Sequence, residues 1–403
     1  MDPTDQALRR ESLGSTVQAV QLVVATLLLL GLIMVYSTSA PAVARQSGLA
    51  ASHGPLLAQG YKILIGLALF VIGSRLRPSF VLRNHLLILL AAVFLLLLVC
   101  VPDLSARLNG SRRWFDLGGL RFQPMEFARL ALVIFLAARI GLLREGLNRF
   151  ASGLLPLAGA LALLATLLLA QPDFGSAVFF LGLGALLLIL GGARLLHLGG
   201  LLLAGLVGCG LYAVGQLGHV IERFQEFLHP TVGDHAYRSL QALGSGGLAG
   251  SALGAGTVKL GYLPMANSDF ILAAIGEELG LLGTSLVVLL FLLFTILGTR
   301  IAMAQRTPAR FLLAAGIVIS ISTQAVINIA VVSGAVPTKG IALPFVSSGG
   351  SSLAISLFGV GLLVALARRS GEPTDGDEGP DLLRRLRAAL RRRSDPCPGG
   401  SHG

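Results

Sequence analysis

The stretch Leu263-Pro264-Met265-Ala266-Asn267-Ser268-Asp269-Phe270 leads directly into Ile271-Leu272-Ala273-Ala274-Ile275-Gly276-Glu277-Glu278-Leu279-Gly280. A carboxylate stands where a polar loop gives way to an apolar run that continues to Gly298. Two more carboxylates follow about two helical turns further in. The run is long enough to cross a bilayer as a helix. Ionisable groups inside a hydrocarbon layer are costly, so they sit in protein cavities and mark sites. An aspartate that only capped a surface helix would need no acidic neighbours at membrane depth. The stretch therefore predicts a helical membrane scaffold holding Asp269 at its rim.

The rest of the chain has the same character. Its 403 residues are 54% hydrophobic and 13% charged, with a mean hydropathy of +0.80 and 51 glycines. That charged share is about half the ~25% of an ordinary soluble domain. Repeated apolar runs of roughly 18 or more residues exclude soluble and barrel folds. The net charge of +11 would suit nucleic acid, but the arginines are distributed as membrane anchors and no nucleic-acid role is expected. Cys100 and Cys209 lie in apolar runs and Cys397 in the tail, a spacing that fits neither a metal site nor a disulfide framework. The polar start, with Arg9 and Arg10, lacks a small-residue cleavage site, so the first apolar run reads as a retained helix.

The expected fold is all-α and polytopic, with about ten transmembrane helices. They run near Thr16–Tyr36, Leu57–Ser74, Asn84–Val101, Phe127–Leu143, Ser152–Ala170, Phe174–Ala193, Leu195–Leu217, Phe270–Gly298, Phe311–Val332 and Ser351–Ala367. Arg9, Arg10, Arg75, Arg77, Arg83, Arg139, Arg144, Arg149, Arg194, Arg300, Arg306, Arg310, Arg368 and Arg369 all fall at one set of helix ends. Positive loops face the cytoplasm, which puts both termini there. Domain bounds follow: a cytoplasmic segment 1–15, a membrane domain 16–369 with a large outer loop at about 218–268, and a cytoplasmic tail 370–403. In the tail, Asp381–Arg393 spaces leucines helically among arginines, as in an amphipathic helix on an anionic leaflet.

One outer loop breaks the charge rule. Asp103–Gln123 carries Arg107, Arg112, Arg113 and Arg121 against Asp103 and Asp116. Cations placed against the topology preference suit an anion, although chance retention in a short loop is the plainer account. The outer glycines at 244, 246, 247, 250, 254 and 256 let backbone approach a ligand or bend sharply; close helix packing is the alternative. Ser320, Gln324 and Asn328 repeat every four residues beside Thr323, a polar stripe suited to helix–helix hydrogen bonds or to lining a lipid path. Glu277 and Glu278 point about 100° apart on one helix, so one of them is expected to pair inside.

At this point the motifs resemble a known family. They are Met34-Val35-Tyr36-Ser37-Thr38-Ser39, Arg112-Arg113-Trp114, Gln123-Pro124-Met125-Glu126-Phe127-Ala128-Arg129-Leu130 and Gln171-Pro172-Asp173-Phe174-Gly175-Ser176. Gly244-Ser245-Gly246-Gly247, the opening stretch and Pro337-Thr338-Lys339-Gly340-Ile341-Ala342-Leu343-Pro344-Phe345 through Ser352 continue the series. The chain resembles the SEDS proteins (FtsW, RodA and SpoVE), peptidoglycan glycan polymerases, over about Leu32–Arg368, and the Pro-Thr-Lys-Gly run favours the FtsW branch. It departs from the family's pattern at Met265–Ser268, where Glu-Ala-His-Thr is usual. Arg129 stands for the usual lysine, Met125 for a serine and Ser348 for a tyrosine.

The resemblance implies lipid II, an undecaprenyl-pyrophosphate disaccharide peptide, as substrate in the bacterial cytoplasmic membrane. It implies a class B penicillin-binding transpeptidase as partner, leaves room for a divalent cation and dictates none. A pyrophosphate leaves as a stabilised anion, so no carboxyl acting as general acid is needed and one base suffices. Asp269 is the expected base, with an N-cap role as its plainer alternative. Arg112, Arg113 and Lys339 are expected to hold pyrophosphate, with Trp114, Gln123 and Ser351 also placed at the substrate. Glu126 and Arg129 share a helix face and, with Asp173, are expected to form a buried network shaping the cavity. A lipid II flippase is the competing reading, since intramembrane charges and glycine-broken helices also suit a transporter. The outer location of Asp269 and the loop arginines favours the polymerase.

Overall fold

The computed structural model describes residues 3–47, 53–101, 105–108, 111–116, 121–143, 147, 149–215, 225, 227–229, 231, 234–256 and 266–370. The tail segment Asp381–Arg393 and Leu263–Met265 of the opening stretch lie outside the described residues. In chain order the helices are α1 Pro3–Ser47, α2 Gly54–Arg75, α3 Pro78–Arg83, α4 His85–Leu98, α5 Pro124–Leu143, α6 Leu155–Ala170, α7 Phe174–Leu190, α8 Leu195–Gly215, α9 His235–Ser245, α10 Ile271–Met303, α11 Pro308–Val332 and α12 Gly350–Arg368. The fold is that of a polytopic helical membrane protein. A helix stands over every expected apolar run. Among the described residues, six helical segments are long and apolar enough to cross a membrane: Ser12–Ala40, Gly54–Arg75, Phe150–Ala170, Ile271–Met303, Pro308–Val332 and Gly350–Arg368.

α5 shows why apolarity alone under-reads the bundle. It carries Glu126, Arg129 and Arg139, yet every residue from Pro124 to Ile140 is buried except Phe127 and Arg139. A helix hidden from lipid can hold charges if protein groups satisfy them. α2 is the opposite case. It buries only Gln59, Gly66 and Gly73, and lays Leu57, Leu64 and Ile72 outward at 71%, 68% and 50% exposure. That outward face is lipid-facing.

At one end of the bundle arginines bond to backbone carbonyls. Arg310 Nη1 donates to the Arg369 carbonyl at 3.1 Å, and Arg369 Nη2 to the Arg75 carbonyl at 3.5 Å. Three of the arginine-bearing ends thus meet on one side. Asp269, the loop 333–349 and the first residues of α2, α5, α7 and α12 lie at the other end of the same helices.

Three expectations need correction. α1 runs on through Ser47, so most of the expected outer loop at Ser37–Pro55 is helix. The arginine-rich outer loop holds a small antiparallel sheet, β1 Ala106–Leu108, β2 Ser111–Asp116 and β3 Arg121–Phe122, in an otherwise helical chain. The glycine run serves packing. A Cβ on Gly246 would lie 1.9 Å from the Gly276 carbonyl oxygen, and one on Gly250 would lie 2.1 Å from that of Glu278. The turn after α9 is therefore pressed onto α10, which kinks at Gly280 (φ 68°) to receive it.

Candidate functional site

Asp269 ends the turn 266–270 that opens α10. The N-cap of α10 is Phe270, with no side-chain cap hydrogen bond, so Asp269 does not cap the helix. The carboxylate instead faces the loop 333–349 that joins α11 to α12. A Cβ on Gly340 would stand 2.8 Å from Asp269 Oδ2, so only glycine lets this loop come so close.

Hydrogen bonds from α11, the loop and the turn before α10 fix that approach. Asn328 Nδ2, on α11, donates to the Asp269 carbonyl at 2.8 Å and to the Ile341 carbonyl at 2.6 Å. Ser347 Oγ donates to the Ser268 carbonyl and accepts from Leu343 N. Ser348 N donates to the Asn267 carbonyl at 3.0 Å, and Asn267 Nδ2 reaches Ser39 Oγ of α1 at 3.1 Å. Gln324 Nε2 ties α11 to the Ala342 carbonyl and to Ser352 Oγ, each at 3.0 Å. The polar stripe of α11 therefore bonds chiefly to the outer loop and α12, and it sets where Asp269 stands.

Burial raises the Asp269 carboxyl to about 6, opposed by its hydrogen bond with Ser268. Among the described residues Asp269 has no ion pair within 4.0 Å. A carboxylate raised this far is half-ionised near pH 6, within the range of a working base.

Lys339 adjoins Gly340 but sends its side chain elsewhere. Its stem runs over Gly175 at the start of α7, and its ammonium lies 5.7 Å from the Phe179 ring centroid. Burial lowers it to about 8; Asp173 and Glu126 pull it back up, and Arg113 adds to the lowering. The ammonium therefore stands among both members of a charged group around α5 and α7.

The geometry redraws the expected network. Arg129 pairs with Glu126 at 3.0 Å and donates to Ser356 Oγ at 3.3 Å. Asp173 pairs with Arg113 at 3.6 Å, not with Arg129. The reason is local. Asp173 caps α7, accepting from Ser176 N at 3.2 Å and Ser176 Oγ at 2.7 Å, which fixes its carboxylate toward the outer strand β2. Arg113 is not a free cation either. Its guanidinium also donates to the carbonyls of Gln171 (3.2 Å) and Pro172, clamping the turn before α7. The side chain of Arg112 lies outside the described residues. Trp114 is half-buried in β2, opposite Ala106. Gln123 and Ser351 form a joint. Ser351 Oγ accepts from Gln123 N and donates to the Arg121 carbonyl, both at 2.9 Å, binding β3 to the start of α12.

Glu277 and Glu278 are both buried, where one was expected inside. Glu278 accepts from Ser37 Oγ at 2.8 and 2.7 Å and from Gly254 N at 3.2 Å, while Ser251 bonds the Glu277 carbonyl. The inward turn 246–256 supplies protein partners around both faces of the helix. Among the described residues no three His, Cys, Asp or Glu side chains converge as a metal-ligating group. Sequence reasoning missed Lys62. It lies in α2, and its ammonium donates to the Ser348 carbonyl at 2.9 Å. A lone lysine inside an apolar run was the available signal.

Comparison with known proteins agrees with this architecture. Residues 18–372 match the family described as cell cycle protein, the group of FtsW, RodA and SpoVE. The chain is 37% identical over 354 residues to the probable peptidoglycan glycosyltransferase FtsW of Trichlorobacter lovleyi, covering 86% of this chain and 91% of that one. It is 37% identical over 292 residues to stage V sporulation protein E of Bacillus subtilis, covering 70% and 79%. Among solved structures, the rod shape determining protein RodA of Thermus thermophilus superposes at TM-score 0.65 with 26% identity, covering 88% of this chain and 97% of that one. A chain from a peptidoglycan synthase complex, described as coordinating polymerization and crosslinking, shares the fold at TM-score 0.70 and 24% identity, covering 88% and 98%.

Proposed function

The chain belongs to the SEDS family of FtsW, RodA and SpoVE, and from that premise we propose that it polymerises lipid II with Asp269 as the general base. It is a peptidoglycan glycosyltransferase of the bacterial cytoplasmic membrane, FtsW-like by its relatives. In the step, the 4-hydroxyl of an N-acetylglucosamine attacks the anomeric carbon of a lipid-linked N-acetylmuramic acid. A glycosidic C–O bond forms, the bond to the pyrophosphate oxygen breaks, and undecaprenyl pyrophosphate departs with its electron pair. Asp269 takes the hydroxyl proton.

The observation that supports this reading is the state of Asp269. It caps nothing, has no ion pair among the described residues, and is held against Gly340 with its carboxyl raised to about 6. Lys339, next to Gly340 in the loop and directed toward α7, supplies positive charge for the pyrophosphate. Arg113 acts on the leaving group indirectly, by fixing the 171–173 turn against which Lys339 packs. Glu126 and Arg129 neutralise each other and support the Lys339 pocket.

A flippase would need headgroup cations reachable from the inner side. There the guanidiniums of Arg310 and Arg369 are bonded to backbone carbonyls. A class B penicillin-binding transpeptidase is the proposed partner, in keeping with the family and the synthase-complex neighbour. Purified protein with its cognate transpeptidase should convert lipid II to glycan strands, and Asp269→Asn should abolish strand formation while elution and melting stay those of a folded protein. Strand formation that survives in the variant would remove Asp269 from the mechanism.

A further inference from the structure

Taking Asp269 as the base, we propose that Glu278 is a positioning residue for it, a role that rests on that reading. It acts through segment 31–39 of α1, which braces both the turn 266–270 and the loop 333–349. Glu278 is a buried carboxylate that the proton transfer does not use. It is 2% exposed and stands two residues before the kink at Gly280. Ser37 Oγ of α1 donates to it, 2.8 Å from Oε1 and 2.7 Å from Oε2, and Gly254 N donates to Oε2 at 3.2 Å. Hydrogen bonds to a carboxylate are about twice as strong as neutral ones, so Ser37 ties α1 firmly to α10.

Two residues along α1, Ser39 Oγ accepts from Asn267 Nδ2 at 3.1 Å. Asn267 precedes Asp269 by two residues, and Glu278 follows it by nine. Positions i and i+2 of a helix point about 200° apart, so Ser37 and Ser39 meet different parts of the chain. α1 is wedged between those parts. Every residue from 36 to 40 is buried or half-buried.

The loop side of the site leans on the same segment. A Cβ on Gly31 would stand 2.6 Å from the Val346 carbonyl oxygen and 2.9 Å from that of Phe345. Phe345 is 1% exposed and has φ 66°, a left-handed backbone that a bulky residue keeps only where its surroundings hold it. α1 thus touches both segments that bring Asp269 to Gly340. Without the Glu278 tie α1 can slide or rotate, carrying Asn267 with it and loosening the loop. A misplacement of about 1 Å in a catalytic group costs about 100-fold in rate.

The test follows lipid II polymerisation by the full chain with its cognate transpeptidase, against pH and against substrate concentration. Glu278→Leu should lower turnover about 10- to 100-fold while apparent lipid II affinity stays within about threefold. Its acid limb should also move. Burial holds the Asp269 carboxyl at about 6, and a displaced turn lets it fall toward the ordinary ~3.9, so the midpoint should drop by about 1 pH unit or more. Glu278→Gln still offers Ser37 an acceptor and should recover turnover to within about fivefold. The Ser37→Ala, Glu278→Leu double variant should lose no more than Glu278→Leu alone, because the two groups act as one. A uniformly lower rate with its midpoint unmoved, a change confined to affinity, no recovery in Glu278→Gln, or additive losses in the double variant overturns the proposal. Should Glu278→Leu fail to fold, Ser37→Ala decides by the same midpoint shift at about tenfold lower turnover. Strand formation surviving in Asp269→Asn removes the base reading and this role with it; an inactive Asp269→Asn beside an unshifted Glu278→Leu removes this role alone.

Discussion

Two aspartates precede helices at the outer mouth, each followed by phenylalanine, and they are put to opposite uses. Asp173 is fully engaged. It caps α7, bonds the Ser176 hydroxyl and pairs with Arg113. Asp269 caps nothing and has no ion pair among the described residues. The helix after it begins at Phe270 without a side-chain cap. What distinguishes them is the third residue downstream. Ser176 offers both an N–H and a hydroxyl to Asp173, whereas Asp269 is turned toward Gly340 of another segment. A carboxylate with all its acceptor sites filled is a structural part; one held in place by its backbone and short of partners keeps its basicity. Reactivity at this rim is set by which aspartate the fold leaves unneutralised.

The sharpest way to break the comparison is to neutralise each in turn. Asp269→Asn should lower the rate of glycan strand formation by about 10³-fold, within the range for a lost general base. Asp173→Asn keeps an N-cap oxygen and should cost no more than about tenfold, chiefly through the loosened Arg113 clamp. Equal losses would erase the distinction.

Asn328 is the next largest. Among the described residues it alone bonds both the Asp269 carbonyl and the Ile341 carbonyl, so it sets the base against the Lys339 loop. Asn328→Leu should reduce turnover by about 10- to 100-fold with a smaller change in apparent lipid II affinity, as expected for a misplaced base. A change confined to affinity would place Asn328 in substrate binding instead.

Stability should move in opposite directions at the two aspartates. Asp269 rises from 3.8 to about 6 on folding, so its contribution is fully present below pH 4 and lost as pH rises through about 6. At pH 7.5 the ionised form opposes folding by on the order of 2–3 kcal/mol, which Asp269→Asn should relieve. Its apparent melting temperature should therefore exceed that of the unaltered protein at pH 7.5, and the gap should narrow toward pH 5. Asp173→Asn should melt lower, by the loss of a buried charged bond of about 1–3 kcal/mol.

The sequence carries the helices because apolar length is a local property. Asp269 at a helix start was legible for the same reason. What was not legible is pairing. On sequence grounds Asp173 belongs with Glu126 and Arg129, and only the cap on Ser176 orients its carboxylate toward β2 and Arg113. The stripe from Ser320 to Asn328 was visible, but its partners are carbonyls, which carry no sequence signature. Lys62 was hidden because a single lysine hardly dents the hydropathy of α2. The glycine run misled because a close approach to a ligand and to a neighbouring helix demand the same residue.

The most direct test is the pH dependence of lipid II polymerisation under saturating substrate. With Asp269 raised to about 6 and needed ionised, the rate should climb tenfold per pH unit below that value and level off above it. With Lys339 lowered to about 8 and needed charged, it should fall again on the alkaline side. In Asp269→Asn the acid limb should vanish from whatever rate remains. A rate that stays flat down to pH 5, or an acid limb that persists in the variant, would show that the proton goes elsewhere.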